Sequence, residues 1–227
     1  LNQLTYFFIF LIAFASLIAL GEWLYHSLKI NSKNIRKILQ VSTGLLSLVL
    51  PVFFTNEYYV LLICGVIQLF LVLSVQNNYL KSIHSIHRKT YGSMVFPIVI
   101  YLIYLVWYHS GNGQNGSQSY AYFFLPILIM ALCDPLASIV GENYPIYKLS
   151  TLSKSIGGTL AFWALAFLLS VIILSFSQLF NTKDITWVAI FIATISSITE
   201  LFSKKGLDNL LVPISVLLAM YIVEYFF

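Results

Sequence analysis

"YAYFFLPILIMALCDPLASIVGEN", Tyr120 to Asn143, decides how this chain is read. It runs without a charge from Tyr120 to Cys133 and then sets Asp134 directly before Pro135. A run this long and apolar is a membrane span, for which about 20 residues suffice. A charged side chain inside a span costs roughly 2.5–3.5 kcal/mol on insertion scales, so it is paired or functional. Counting from Val140 as the end of the span, Asp134 lies about 9 Å in from that end at helical rise. Pro135 disfavours helical geometry at Asp134 and removes a backbone donor. That predicts a break or kink, with carbonyls freed beside the carboxylate. Irregular backbone at membrane depth lines a cavity or is buried in protein. The plain structural alternative is a kink whose carboxylate bonds a neighbouring helix.

The rest of the chain agrees with a membrane protein. Of its 227 residues, 59% are hydrophobic and only 9% charged, against about 25% charged in soluble domains. The mean hydropathy is +0.89. The expected fold is all-α, a polytopic transmembrane helical bundle of about eight spans. The spans are predicted at Leu4–Leu20, Ile38–Thr55, Tyr58–Val75, Ser93–His109, Tyr120–Val140, Thr159–Leu179, Ile185–Phe202 and Asn209–Phe227. Seven is the alternative, if the last is a re-entrant piece. Residues 1–227 thus read as a single integral membrane domain. Glu22 and Trp23 follow the first run where a cleavable leader would place small residues, so that run reads as retained. Cys64 and Cys133 fall in apolar runs without metal spacing and read as packing residues. A net charge of +4 with scattered bases excludes nucleic acid as a partner.

Charge orients the spans. Lys29, Lys33, Arg36 and Lys37 lie between the first two spans, and Lys81, Arg88 and Lys89 between the third and fourth. Lys148 and Lys154 lie between the fifth and sixth, and Lys204 and Lys205 between the last two. Only Lys183 of the 12 basic residues falls on the opposite side. By the positive-inside rule these connections are cytoplasmic, which leaves both termini on the non-cytoplasmic side.

The remaining polar groups gather at that cytoplasmic side. Glu200 ends the seventh span, where an i,i+4 pair with Lys204 is the ordinary reading. Asp208 and Asn209 open the eighth, where either is a normal helix cap. Lys154, Ser155, Gly157, Gly158 and Thr159 lead into the sixth. Glycine amides and a helix N-terminus suit an anion, although the Walker order is absent. Carboxylates Asp134, Glu200 and Asp208 suit Mg²⁺, which takes a few carboxylates plus substrate phosphates. Lys154, with Arg36 and Lys37 at the start of the second span, suits the phosphates themselves. This is equipment for phosphoryl or nucleotidyl transfer at a membrane surface. His84 and His87 read as solvated loop residues, Tyr91-Gly92 as a turn, and His26 and His109 as interfacial residues without an evident partner. The Ser110–Ser119 loop reads as an external turn, and its Asn115-Gly116-Ser117 pattern as chance.

Four ordered blocks resemble the polyprenol kinase family, which comprises dolichol, phytol and farnesol kinases and CTP-dependent diacylglycerol kinases. They are "RKILQVSTG" (Arg36–Gly44), "CDPLASIVG" (Cys133–Gly141), "KSIGGTLAF" (Lys154–Phe162) and "ELFSKKGLDNLLVP" (Glu200–Pro213). Together they make 36–213 the motif-bearing region. The resemblance implies that CTP donates its γ-phosphoryl group, with Mg²⁺, to a long-chain isoprenoid alcohol of the phytol or polyprenol type at the cytoplasmic face. It implies Asp134, Lys154, Glu200 and Asp208 as catalytic residues, with the three carboxylates as metal ligands. Arg36, Lys37, Ser138, Gly141, Lys154, Ser155, Gly157, Gly158, Thr159 and Asn209 are the implied nucleotide and phosphate contacts.

Two positions depart from the family pattern. Gln40 stands where the family often has a histidine, and Glu142 where it tends to have a basic residue. A cytidylyltransferase making a CDP-lipid, a diacylglycerol kinase and a small transporter are the other readings. Partners are a membrane lipid substrate and the nucleotide, with a homodimer as one oligomeric option. The expected location is a bacterial inner membrane.

Overall fold

A computed structural model of the chain describes residues 2–77, 79–80, 92–112, 120–144, 146–149, 154–177, 179–204 and 206–226. His84, His87, Tyr91, Asn115-Gly116-Ser117 and the basic residues Lys81, Arg88, Lys89 and Lys205 lie outside the described residues. The helices are α1 (Gln3–Ser27), α2 (Ser32–Ser47), α3 (Leu50–Phe53), α4 (Glu57–Gln76), α5 (Gly92–Trp107), α6 (Ala121–Leu128), α7 (Asp134–Asn143), α8 (Ile156–Ser177), α9 (Ile185–Phe202) and α10 (Asp208–Phe226). A π turn, Ile129–Cys133, joins α6 to α7, and another, Tyr108–Asn112, extends α5. Among the described residues, eight helical stretches are long and apolar enough to cross a membrane. Each overlaps one of the eight expected spans, and the last is a continuous helix of 19 residues.

Local chemistry sets the helix ends. Asn31 caps α2 by accepting from the Lys33 amide at 3.2 Å, and Asn56 caps α4 by accepting from the Tyr58 amide at 3.0 Å. Pro51 sits in the first turn of α3, where its missing N–H costs nothing. Hydroxyls inside the spans bond back to carbonyls four residues earlier, as Ser170 does to Ala166 and Ser196 to Ile192. A membrane interior requires such internal satisfaction.

The fifth span forms the centre of the bundle. Its apolar window is 61% buried, against 17% for α1. Small residues let the neighbours approach it, as expected where apolar burial alone cannot drive helix association in lipid. A Cβ at Gly44 of α2 would stand 2.4 Å from Ala131 Cβ. One at Gly158 of α8 would stand 2.7 Å from the Ala137 carbonyl oxygen of α7. The outward faces carry exposed Leu, Ile and Phe side chains, such as Ile12, Leu69 and Leu168.

One small element was not legible in the chain. Lys148–Leu149 (β1) and Lys154–Ser155 (β2) pair antiparallel, Lys148 with Ser155 and Leu149 with Lys154. This ladder fixes where Lys154 enters α8. The intervening 150–153 lie outside the described residues.

Candidate active site

The fifth span does not break at Asp134. Asp134 itself is helical, at φ −64° and ψ −49°, and the π turn before it absorbs the proline. In that turn each carbonyl bonds the amide five residues on. For Met130 that position is Pro135, which has no N–H. The orphaned Met130 carbonyl accepts from Gln40 Nε2 of α2 at 2.9 Å. A carbonyl is freed beside the carboxylate, as expected, but by a register shift in a continuous helix.

Gln40, which the sequence marked only as a departure from the family pattern, is the hub of the site. Its Nε2 also stands 3.1 Å from Asp134 Oδ2 and 3.1 Å from Asn209 Oδ1. The two N–H groups of the amide are shared among three acceptors. Asn209 in turn donates from Nδ2 to the Gly92 carbonyl at 3.1 Å. Four spans are thereby tied at one point. The signal that could have found Gln40 is its place four residues after Arg36, on the same face of α2. Glycines make the approach to Asn209 feasible. Gly206 turns the chain at φ 84°, and a Cβ at Gly92 would stand 3.0 Å from Asn209 Nδ2.

Charge gathers around this hub. Asp134 interacts electrostatically with Asp208, Glu200 and Lys154, and Arg36 with Asp208 and Asp134. Glu200 pairs with Lys154, not with Lys204. Lys154 Nζ donates to Glu200 Oε1 at 2.6 Å and also to the Glu200 backbone carbonyl. The second contact caps the C-terminal end of α9, whose last carbonyls lack helical partners. Lys154 keeps a third N–H, and its side chain is 20% exposed. The Arg36 guanidinium makes no hydrogen bond to another described residue. Three carboxyl groups thus face two cations.

That balance suits a divalent cation, and one atom adds to the fit. Glu200 Oε2 is buried and has no hydrogen-bond partner among the described residues. Among the described residues, however, no three His, Cys, Asp or Glu side chains stand together as a ready metal site. Mg²⁺ needs only one or two carboxylates when substrate phosphates complete its shell. Asp134 and Asp208 can supply those, with Glu200 held by Lys154.

The other expected contacts lie to one side. Lys37 Nζ, Lys33 Nζ and Ser138 Oγ converge on Glu142 Oε1 at 3.1, 2.8 and 2.7 Å. Lys33 and Glu142 were not among the sequence candidates. Ser155 Oγ accepts from the Gly158 amide at 3.1 Å and lies 3.4 Å from the Gly141 carbonyl. Thr159 Oγ1 donates to the Ser155 carbonyl at 3.3 Å. Gly157 and Gly158 belong to the first turn of α8 and not to a loop before it. They allow α8 to pass close to α7: a Cβ at Gly157 would meet the Tyr144 carbonyl oxygen at 2.7 Å. His26 and His109, expected to lack partners, stand 3.0 Å from Glu22 and 2.8 Å from Glu57.

An apolar cleft runs up to this cluster. Its cavity volume is about 100 Å³, and it opens to the surroundings along part of its length. Arg36, Gln40 and Asn209 line it together with apolar residues that include Phe14, Cys64 and Ile100.

Comparison with known proteins fits this arrangement. Phytol kinase of Synechocystis sp. is 34% identical over 145 residues, a stretch covering 63% of this chain and 59% of that protein. Over that stretch the chain is similar to this phytol kinase. Dolichol kinase of Schizosaccharomyces pombe is 26% identical over 190 residues, covering 73% of this chain and 35% of that protein. The chain thus spans 59% of the phytol kinase and 35% of the dolichol kinase. No family model matches it, and no solved structure does.

Proposed function

We propose that the protein is a CTP-dependent kinase that phosphorylates a long-chain isoprenoid alcohol at the cytoplasmic face of a membrane. One observation carries the reading. The cluster of Asp134, Asp208, Lys154 and Arg36 meets the end of an apolar cleft at Gln40, Arg36 and Asn209. An enzyme that joins a charged donor to a greasy acceptor needs both environments at one point.

In the transfer, the acceptor hydroxyl oxygen bonds to the γ-phosphorus. The bond from that phosphorus to the bridging oxygen breaks, and the nucleoside diphosphate leaves. Catalysis of such a step is mostly positioning and charge stabilisation. Arg36, whose guanidinium bonds none of the described residues, and the third N–H of Lys154 neutralise phosphate oxygens. Asp134 accepts the hydroxyl proton, because Gln40 places it beside the polar end of the cleft; Asp208 is the alternative base. Gln40 holds Asp134 Oδ2 and leaves the other oxygen for this work. Mg²⁺, when bound at Asp134 and Asp208, supplies further charge neutralisation at the phosphates. Glu200 fixes Lys154. Ser138, Gly141, Ser155, Gly157, Gly158 and Thr159 shape the α7–α8 crossing that positions these groups, with Lys37 beside the phosphate path.

Purified protein with Mg²⁺, phytol and CTP labelled separately at the α and γ phosphates tests the proposal. Transfer of the γ label to the alcohol is the expected result. Transfer of the α label would make the protein a cytidylyltransferase instead. Phosphorylation of diacylglycerol in preference to phytol, farnesol and polyprenols would move the acceptor class. The same reading places the protein in a bacterial inner membrane, with Arg36 and Lys154 facing the cytoplasm.

A further inference from the structure

The cleft has a measurable depth and a closed outer end. On α2 its lining runs from Arg36 to Thr43, on α4 from Leu71 to Cys64, and on α5 from Ser93 to Ile100. Each stretch covers seven residue-to-residue steps, so the cleft is about 10 Å deep at helical rise. One turn further out, Phe10, Val60 and Tyr104 are 5%, 0% and 0% exposed. Phe54 fills the space between them. Its ring centroid lies 5.4 Å from that of Phe10, and its carbonyl accepts from Tyr104 Oη at 2.7 Å. A chain entering from the charged end therefore meets a wall in mid-membrane.

We propose that the cleft holds the hydroxyl end of an isoprenoid alcohol, with the oxygen at Gln40 and Asn209, and that it reads roughly two isoprene units, or about eight extended bonds, before the chain turns out into lipid. Gln40 and Asn209 present amide groups to a hydroxyl at the polar end, and Arg36 beside them faces the phosphates. The acceptor is then selected by its head and first units, and not by its overall length. This inference rests on the kinase reading for the role of the hydroxyl. Occupancy of the cleft is measurable without catalysis.

The test is photocrosslinking of the full chain in detergent, without nucleotide, by farnesol carrying a diazirine near its second unit. Labelling is expected in peptides that contain Cys64 or Ile100. Competing unlabelled alcohols should gain about tenfold in potency from one to two units, and little beyond. Cys64→Phe, which fills the closed end, should weaken competition by the two-unit alcohol about tenfold. Ile100→Ala, which opens that end, should move the plateau outward by part of a unit. The Ile100→Ala result stands by itself if Cys64→Phe does not fold. Labelling elsewhere, equal competition by a phospholipid such as phosphatidylglycerol, or potency that keeps rising through four units would overturn the assignment. Labelling at the cleft without phosphoryl transfer would instead sink the kinase reading and leave the cleft assignment standing.

Discussion

Gln40 Nε2 stands 3.1 Å from Asp134 Oδ2, across two spans whose residues are 94 positions apart in the chain. The same nitrogen serves Met130 and Asn209. A residue that cannot act as a base thus sets the position of a carboxylate that stands directly behind the polar end of the cleft. Gln40→Leu keeps the volume near but removes every donor. It should destabilise the protein by about 1–3 kcal/mol, the cost of leaving buried acceptors unpaired. A thermal melt in detergent checks this. Gln40→His retains a donor and should lose less, and an equal loss in the two variants would show that Gln40 contributes volume alone.

Lys154 and Glu200 should behave as a unit. Lys154→Met leaves the Glu200 carboxylate, 5% exposed, without its cation, and removing one partner of a buried pair costs about 3–5 kcal/mol. The double variant Lys154→Met/Glu200→Gln should recover most of that stability without recovering phosphoryl transfer. Recovery of activity in the double variant would make Lys154 purely structural.

Gly158→Ala probes the α7–α8 crossing. The new methyl would stand 2.7 Å from the Ala137 carbonyl oxygen and 3.3 Å from Gly141 Cα. Backbone on both sides cannot yield as a side chain can, so overpacking should cost about 1–3 kcal/mol. Comparison with Gly65→Ala, where nothing lies within 4 Å, supplies the control in the same melt.

Glu142 occupies two lysines and a serine that would otherwise face solvent phosphate. Its side chain is 45% exposed, and exposed ion pairs contribute about 0–1 kcal/mol. Glu142→Gln should therefore leave stability nearly unchanged while lowering the KM for CTP. The gain should fade with added salt. An unchanged KM at low salt would separate Lys33 and Lys37 from nucleotide binding.

The eight spans were legible because each is an apolar run bounded by polar residues, and hydrocarbon permits little else. The gathering of Asp134, Lys154, Glu200 and Asp208 at one end was legible from charge alternation. Which of them pair was not. Lys154 finds Glu200 across 46 residues, where local spacing pointed to Lys204. Pro135 announced an irregularity, but whether the helix breaks or shifts register depends on a donor from another span, and Gln40 supplies it. The glycines of "KSIGGT" read as an anion loop because a loop and a helix–helix contact ask for the same small residue. The Ala137 and Tyr144 carbonyls that explain them belong to α7 and its C-terminal end.

The most direct measurement is the rate of γ-phosphoryl transfer from CTP to phytol by Asp134→Asn, in protein shown by its melt and elution to be folded. Asn keeps the shape and the bond to Gln40 but removes the charge and the basicity. The expected rate is lower by about a thousandfold or more, as for loss of a residue acting in the transition state. Transfer at the full rate in that variant would contradict the assignment of this site.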